Sequence, residues 1–231
     1  MPLTPKPNPP PPIVTLDDAG VAALSGELVR RATDPAARAV LAIAGVPGSG
    51  KSTLARAIVN RLNRNTPGSA LLFPMDGFHL PNDELDRLGL RQRKGAPLTF
   101  DGQGYVKLLH RLRDAGRTAA VPVFDRDRDE AVYTGKPEHT AGGRTRWVVT
   151  EGNYLLLETI PWNAIGELSE LTVWIDTPMP RAKRWIIERH MRYGRSPEAA
   201  EHWYETNDRL NAQHVLRHSL HADRIARWPE R

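Results

Sequence analysis

The sequence predicts an α/β fold in which a parallel sheet is covered by helices on both faces, three layers in all. Two patterns point there. Short, continuous apolar runs of strand length alternate with longer segments whose apolar residues recur every three or four positions, and the first such run leads into a glycine-rich turn that opens a helix. An unbroken apolar run is what a strand buried on both faces looks like, whereas a half-wetted antiparallel strand alternates. With 231 residues and 40% hydrophobic content, the chain has material for one core.

The elements follow in order. Residues 1–12, MPLTPKPNPPPP, hold seven of the 20 prolines and lack most amide donors, so residues 1–14 are expected to form an extended, proline-rich tail and residues 15–231 a single domain. Asp17 and Asp18 open a helix whose Val21, Leu24 and Leu28 share one side and which ends near Thr33-Asp34-Pro35. AVLAIAG (39–45) is the first buried strand. A helix with Leu54, Ile58 and Leu62 follows, then a strand over 70–75 and a helix carrying Tyr105, Leu108, Leu109 and Leu112. Further strands are expected at 119–124, 147–150 and 171–176, and helices at about 178–192 and 197–217.

Composition narrows the function classes. The chain has no Cys, which removes disulfides, thiolate metal sites and a cysteine nucleophile and fits a reducing compartment. Its longest apolar run, Ala39 to Val46, is far short of the roughly 20 residues of a membrane helix. Prolines occupy the place of a secretion signal's apolar stretch, so a cytoplasmic location is expected, with no membrane partner. The net charge of +5 comes from 32 basic residues, all but six of them Arg. Guanidinium forks suit phosphate oxygens, although a coding bias toward Arg leaves the same composition. No basic stripe interleaved with aromatics is present, so nucleic acid is not an expected partner.

The strongest signal is GVPGSGKS, Gly45 to Ser52, which matches G-x-x-x-x-G-K-[ST] between an expected strand and an expected helix. The glycines let backbone N–H groups close around an anion at a helix N-terminus, so Gly45, Val46, Pro47, Gly48, Ser49, Gly50, Lys51, Ser52 and Thr53 are the expected nucleotide-binding residues. The Lys51 ammonium is expected to bridge β- and γ-phosphate oxygens and the Ser52 hydroxyl to ligate Mg²⁺, which makes ATP and Mg²⁺ the expected cofactors. This is a P-loop, and the fold class becomes that of the P-loop NTPases. An Asn-Lys-x-Asp base-reading string, as in GTPases, is absent, and the Leu-Ser-Gly-Glu at 24–27 lies upstream of the loop, unlike a transporter signature. Asp76, in FPMDGFHLPN at the end of the second strand, stands where a carboxylate faces the γ-phosphate and accepts the proton of an attacking hydroxyl. An Asp-Gly turn is the plainer account of the same two residues.

Together with PMDGFHLPN, LGLRQRKGAPLTFD (88–101), PVFDR (122–126), VVTEGNYLL (148–156) and RHMRYGR (189–195), the loop makes this sequence resemble the phosphoribulokinase, uridine kinase and bacterial-type pantothenate kinase group of P-loop small-molecule kinases, over about residues 38–215. The resemblance implies that Asp76 is the catalytic base and that Glu151, ending an apolar strand, joins Ser52 in holding magnesium. It implies that Asp101 receives substrate hydroxyls, that His79 lines the substrate pocket and that Asn211 reaches the substrate. It implies a helical lid over about 189–200, in which Arg189, Arg192 and Arg195 bring charge to the transferring phosphoryl and the nucleotide. A solvated basic helix end is the alternative account of those arginines. Such kinases commonly pair, so a homodimer is among the arrangements the resemblance allows.

The substrate side is open. FDR followed by DRDEAV departs from the uridine kinase block, and the tyrosine-serine-histidine stretch of pantothenate kinases is missing. Arg93 and Arg126 are candidates for a carboxylate or phosphate already on the substrate, whereas Lys94 reads as a solvated surface charge. His214, His218 and His221 are expected to repeat on one helical face at metal-ligand spacing, without an accompanying carboxylate, and the tryptophans, Trp185 among them, read as core anchors. The expectation is transfer of the γ-phosphate of ATP to a hydroxyl of a small metabolite, a nucleoside, pantothenate-like or sugar-like alcohol. The alternative is an ATP-binding regulatory NTPase that phosphorylates no metabolite.

Overall fold

The computed structural model describes residues 10–230. The first half of the chain runs β1 (Ile13–Thr15), α1 (Asp18–Arg31), β2 (Ala39–Gly45), α2 (Lys51–Asn63), β3 (Ala70–Pro74), a 3-10 turn (Met75–Phe78), α3 (Asn82–Arg87) and α4 (Gly102–Arg113). There follow β4 (Ala119–Ala120), β5 (Val123–Asp125), β6 (Glu130–Val132), β7 (Thr140–Ala141), β8 (Trp147–Gly152) and β9 (Leu171–Ile175). The last part is α5 (Met179–Arg192), α6 (Pro197–Trp203), a π-turn (Tyr204–Asp208), α7 (Arg209–His218) and β10 (Arg224–Arg227). Six strands form one sheet in the order β1-β10-β9-β2-β8-β3, and every neighbouring pair is parallel.

All seven residues of β2 are buried because the strand lies between β8 and β9 with helices above and below. Its alternate residues feed two cores. Leu41 and Ile43 pack with Leu24 and Leu28 of α1 and Leu54 and Ile58 of α2 on one face. Val40, Ala42 and Ala44 pack on the other face with Tyr105, Leu109 and Leu112 of α4, with Val215 of α7 and with Tyr154 and Trp162. Leu28 is fully buried, and truncating a core leucine of this kind to Ala costs about 2–5 kcal/mol. The Asp17 carboxylate caps α1 by accepting from the Gly20 N–H at 2.8 Å.

Arg38, just before β2, is fully buried and spends its guanidinium on backbone carbonyls. It donates to Thr145, Leu112, Asp114, Ala115, Arg117 and Gly142 at 2.7–3.1 Å. One cation thus satisfies carbonyls at the end of α4 and in two loops, where no sheet partner reaches them.

The structure revises four expectations. Residues 13 and 14, expected in the tail, belong to the sheet, because Ile13 and Val14 pair with Ile225 and Ala226; residues 1–9 lie outside the described part. Residues 119–124 are not a strand of the main sheet: Pro122 breaks the run, β4 pairs antiparallel with β7, and β5 forms a hairpin with β6. The expected helix over 197–217 is divided into α6, the π-turn and α7. Finally, α7 ends at His218, so His221 is off the helix that was expected to carry all three histidines. No helix among the described residues is long and apolar enough to cross a membrane.

Candidate active site

The loop from Gly45 to Gly50 leaves the carboxyl end of β2 and turns into α2. Gly50 occupies the N-cap position with φ +92° and no side chain caps the helix, so the first N–H groups of α2 face the cleft. Gly48 has φ +77°, and a Cβ there would lie 2.4 Å from the Ala182 carbonyl oxygen of α5, which leaves room for glycine alone. The Ser49 carbonyl accepts from Thr177 Oγ1 at 3.1 Å and from Trp228 Nε1 at 2.8 Å, which pins the loop from behind. Lys51 is 6% exposed and its Nζ donates to the Val46 carbonyl at 2.8 Å. Burial pulls its pKa down to about 8, opposed by the carboxylates of Glu151 and Asp76.

The two carboxylates come from the strands on the far side of β2. Glu151 near the end of β8 pairs in register with Ile43 on one side and Pro74 on the other, so it sits level with the base of the loop. Ser52 Oγ donates to Glu151 Oε1 at 2.9 Å. Burial, with the nearby Asp76 charge, raises the Glu151 pKa. Asp76 lies in the 3-10 turn after β3, with its side chain 35% exposed to the cleft. Burial alone would raise its pKa, but the charges of His79, Arg126, Arg189 and Lys51 hold it below the usual carboxylate range. The turn needs Gly77, since a Cβ would stand 2.2 Å from the Pro122 carbonyl oxygen of the strap that leads into β5.

His79 Nδ1 is 2.8 Å from the Asp76 backbone carbonyl, which only accepts, so Nδ1 carries a proton. Its ring is held between Phe100 at 4.1 Å and Phe124 at 4.6 Å, and burial lowers its pKa. Across the cleft, α5 presents Arg189, whose guanidinium makes no hydrogen bond among the described residues. Arg192 ends α5, and Arg195 follows Gly194 and stacks over the Trp203 ring at 4.0 Å. These groups surround one open cleft of about 1690 Å³ at the carboxyl edge of the sheet.

No family model matches the chain. An ATP-dependent kinase-like protein from Aspergillus versicolor is 33% identical over 153 residues, 63% of this chain and 89% of that protein. A protein of Schizosaccharomyces pombe, provisionally named as a uridine kinase, is 30% identical over 196 residues, 80% of this chain and 81% of that one. Among solved structures, one from Silicibacter sp. TM1040, provisionally described as a fructose transport system kinase, superposes with a TM-score of 0.79 at 35% identity and covers 90% of this chain and 98% of its own. The chain belongs to the P-loop small-molecule kinases of the uridine kinase and pantothenate kinase group.

In this kinase the cleft gathers Pro47, Gly48, Gly50 to Thr53, Asp76, His79, Arg126, Glu151, Arg189, Arg192, Arg195 and Asn211. Gly45, Val46 and Ser49 lie in the body of the loop. Two expected residues are elsewhere. Asp101 is exposed and caps α4, its carboxylate accepting from the Gly104 N–H at 2.8 Å, so it serves the helix end rather than the cleft. Arg93 points away from the cleft and donates to the Thr206 carbonyl at 3.1 Å, tying this segment to the π-turn. Lys94 replaces it in the cleft wall and is no solvated surface charge. Its side chain is 8% exposed and bonds Asp129 at 2.8 Å and Asn82 at 2.6 Å.

Sequence reasoning missed one further group. Trp228, beyond β10, and Trp185 of α5 meet edge to face at 6.1 Å in the cleft wall, and Arg181 lies over the Trp185 ring at 5.7 Å. No local signal marks Trp228, which reaches the loop only because β10 lies beside β9.

Proposed function

We propose that this kinase transfers the γ-phosphate of ATP to a hydroxyl of a small metabolite, with Asp76 as the proton acceptor. The observation that carries the reading is the placement of a cleft-exposed carboxylate, Asp76, at the same sheet edge as a glycine loop whose lysine bonds the Val46 carbonyl and whose Ser52 hydroxyl bonds the facing Glu151. The loop N–H groups and Lys51 hold the β- and γ-phosphates, and Arg189, with no competing hydrogen bond, meets the transferring phosphoryl with Arg192 nearby. The acceptor oxygen bonds to the γ-phosphorus as the β,γ-bridging P–O bond breaks; ADP departs with that oxygen, and the acceptor's proton passes to Asp76 and on to water.

Ser52, Glu151 and Asp76 are hard oxygen donors gathered at the loop, a set that fits Mg²⁺. Ser52 and Glu151 would hold it, and when bound it supplies charge neutralisation at the phosphate oxygens. The raised pKa of Glu151 suits such a site, since a divalent cation restores its ionised form. The Trp185, Trp228 and Arg181 group offers an aromatic, cationic seat for the adenine ring, and Arg195 lies over Trp203 in the same cleft. His79 and Asn211 line the acceptor side.

The test is ADP release measured with Mg²⁺-ATP and, one at a time, nucleosides, pantothenate, sugars and glycerate. Release that rises severalfold with one acceptor, with the phosphorylated alcohol recovered, is expected. Release that is the same with and without every acceptor overturns the reading and favours a regulatory NTPase.

A further inference from the structure

Phosphate transfer asks only for a hydroxyl in front of Asp76, yet the wall behind that carboxylate is built for charge. Arg126 extends from the β5–β6 hairpin with its Nη2 3.7 Å from Asp76 Oδ2, beyond hydrogen-bonding range, and a side chain 35% exposed to the cleft. Its guanidinium makes no hydrogen bond among the described residues, and its carbon lies 5.9 Å from the Phe124 ring centre and 5.3 Å from that of Tyr193. Two aromatic faces therefore hold a five-donor fork whose acceptor positions stand open.

Of the other charges in the cleft, Lys94 and Asp208 are already matched, while Arg189 is left to the transferring phosphoryl. Lys94 holds Asp129 at 2.8 Å, and Asp208 is 2.8 Å from His190. Asn207 donates to the Lys94 carbonyl at 2.7 Å. Arg126 is also set apart from the nucleotide loop. It belongs to the β5–β6 hairpin, and the Phe124 ring beside its guanidinium meets the His79 ring at 4.6 Å, the histidine that lines the acceptor side. Its fork is thus on the acceptor's side.

We propose that the acceptor is an anion, an alcohol that also bears a carboxylate or phosphate, and that Arg126 is the residue that receives that group and selects for it. The proposal rests on the kinase reading and names the acceptor's class. Planar forks bind such groups with two parallel hydrogen bonds, which a point-charge ammonium does not reproduce. Binding the anion also draws Arg126 from Asp76, which leaves the base with one cation fewer as the acceptor arrives. A neutral alcohol leaves that contact in place.

The experiment compares matched acceptors that differ in the anionic group: D-glycerate with glycerol, pantothenate with pantothenyl alcohol, and fructose 6-phosphate with fructose, with uridine as a neutral reference. The first two pairs test a carboxylate and the third a phosphate. With wild type, one anionic acceptor is expected to exceed its neutral partner by about 30-fold or more in kcat/KM. Arg126→Gln should remove most of that preference, chiefly through KM, and Arg126→Lys should restore part of it. In a second arm, each anion is titrated into protein saturated with ADP, without turnover. Binding of one of them, weakened about tenfold or more in Arg126→Gln, is expected.

A neutral acceptor used as well as its anionic partner overturns the proposal and leaves the kinase reading standing. So does an Arg126→Gln variant that loses ATP affinity while keeping its acceptor preference, for then the fork serves the nucleotide. Binding of none of the anions also overturns it. Anion binding through Arg126 with no acceptor-dependent ADP release sustains the anion site and refutes the kinase reading.

Discussion

Lys51 provides a pH titration of the site. Its pKa of about 8 in the ligand-free protein means that the ammonium loses its proton within an accessible range. If the β- and γ-phosphates bind the charged form, the dissociation constant scales with one plus ten raised to the difference between pH and this pKa. ATP affinity is then nearly constant below neutrality and weakens about tenfold between about pH 7 and about pH 9. The sign follows from linkage: the anion favours the protonated amine, so ATP binding raises the pKa and takes up a proton. Uptake should be about 0.1 proton per ATP near pH 7 and about 0.8 near pH 8.5. Isothermal titration in buffers of different ionisation enthalpy measures both quantities, and the fluorescence of Trp185 and Trp228 beside the loop gives an independent affinity. Lys51→Arg, charged throughout, should give a flat profile even if binding is weaker. A wild-type dissociation constant that does not change across this range, with no proton uptake near pH 8.5, refutes the argument that the buried ammonium holds the phosphates.

Three further outcomes are expected. Asp76→Asn should lower kcat by about 10²–10⁴-fold while ATP affinity changes only severalfold; full turnover removes Asp76 as the base. Gly48→Ala forces a Cβ to within 2.4 Å of the Ala182 carbonyl oxygen, so ATP affinity by titration should fall at least about tenfold, and unchanged affinity shows that α5 gives way. Arg38→Met strips the donor from six carbonyls and should lower stability in urea unfolding by about 3–5 kcal/mol; a loss below about 1 kcal/mol means that water takes the arginine's place.

What the sequence disclosed and what it hid follow from the range of the interactions involved. Strands β2, β3, β8 and β9 were readable because burial leaves continuous apolar runs, and AVLAIAG is β2 to the residue. The loop was readable because all its chemistry is contiguous, and Asp76 and Glu151 because each follows an apolar run by one or two residues. Strands β1 and β10 were not. β1 is three residues long beside a proline-rich stretch, and β10 reads RIAR, two charges around a short apolar core. Residues 119–124 misled because their apolar side chains are covered by α4 and neighbouring loops rather than by a sheet. Asp101 misled because a helix cap and a substrate ligand call for the same residue. Arg38, Lys94 and Trp228 owe their roles to partners far along the chain, so no local pattern announces them.

The strand order also governs when the loop acquires its support on the ribosome. Ala39 of β2 lies opposite Trp147, Leu41 opposite Leu171, and the loop's rear prop, Trp228, is later still. A nascent chain therefore emits its glycine loop long before any flanking strand exists to hold it. Triphosphate is then a ligand of the finished sheet rather than a template for building it, and ATP added to refolding protein should slow unfolding without hastening the first steps of assembly.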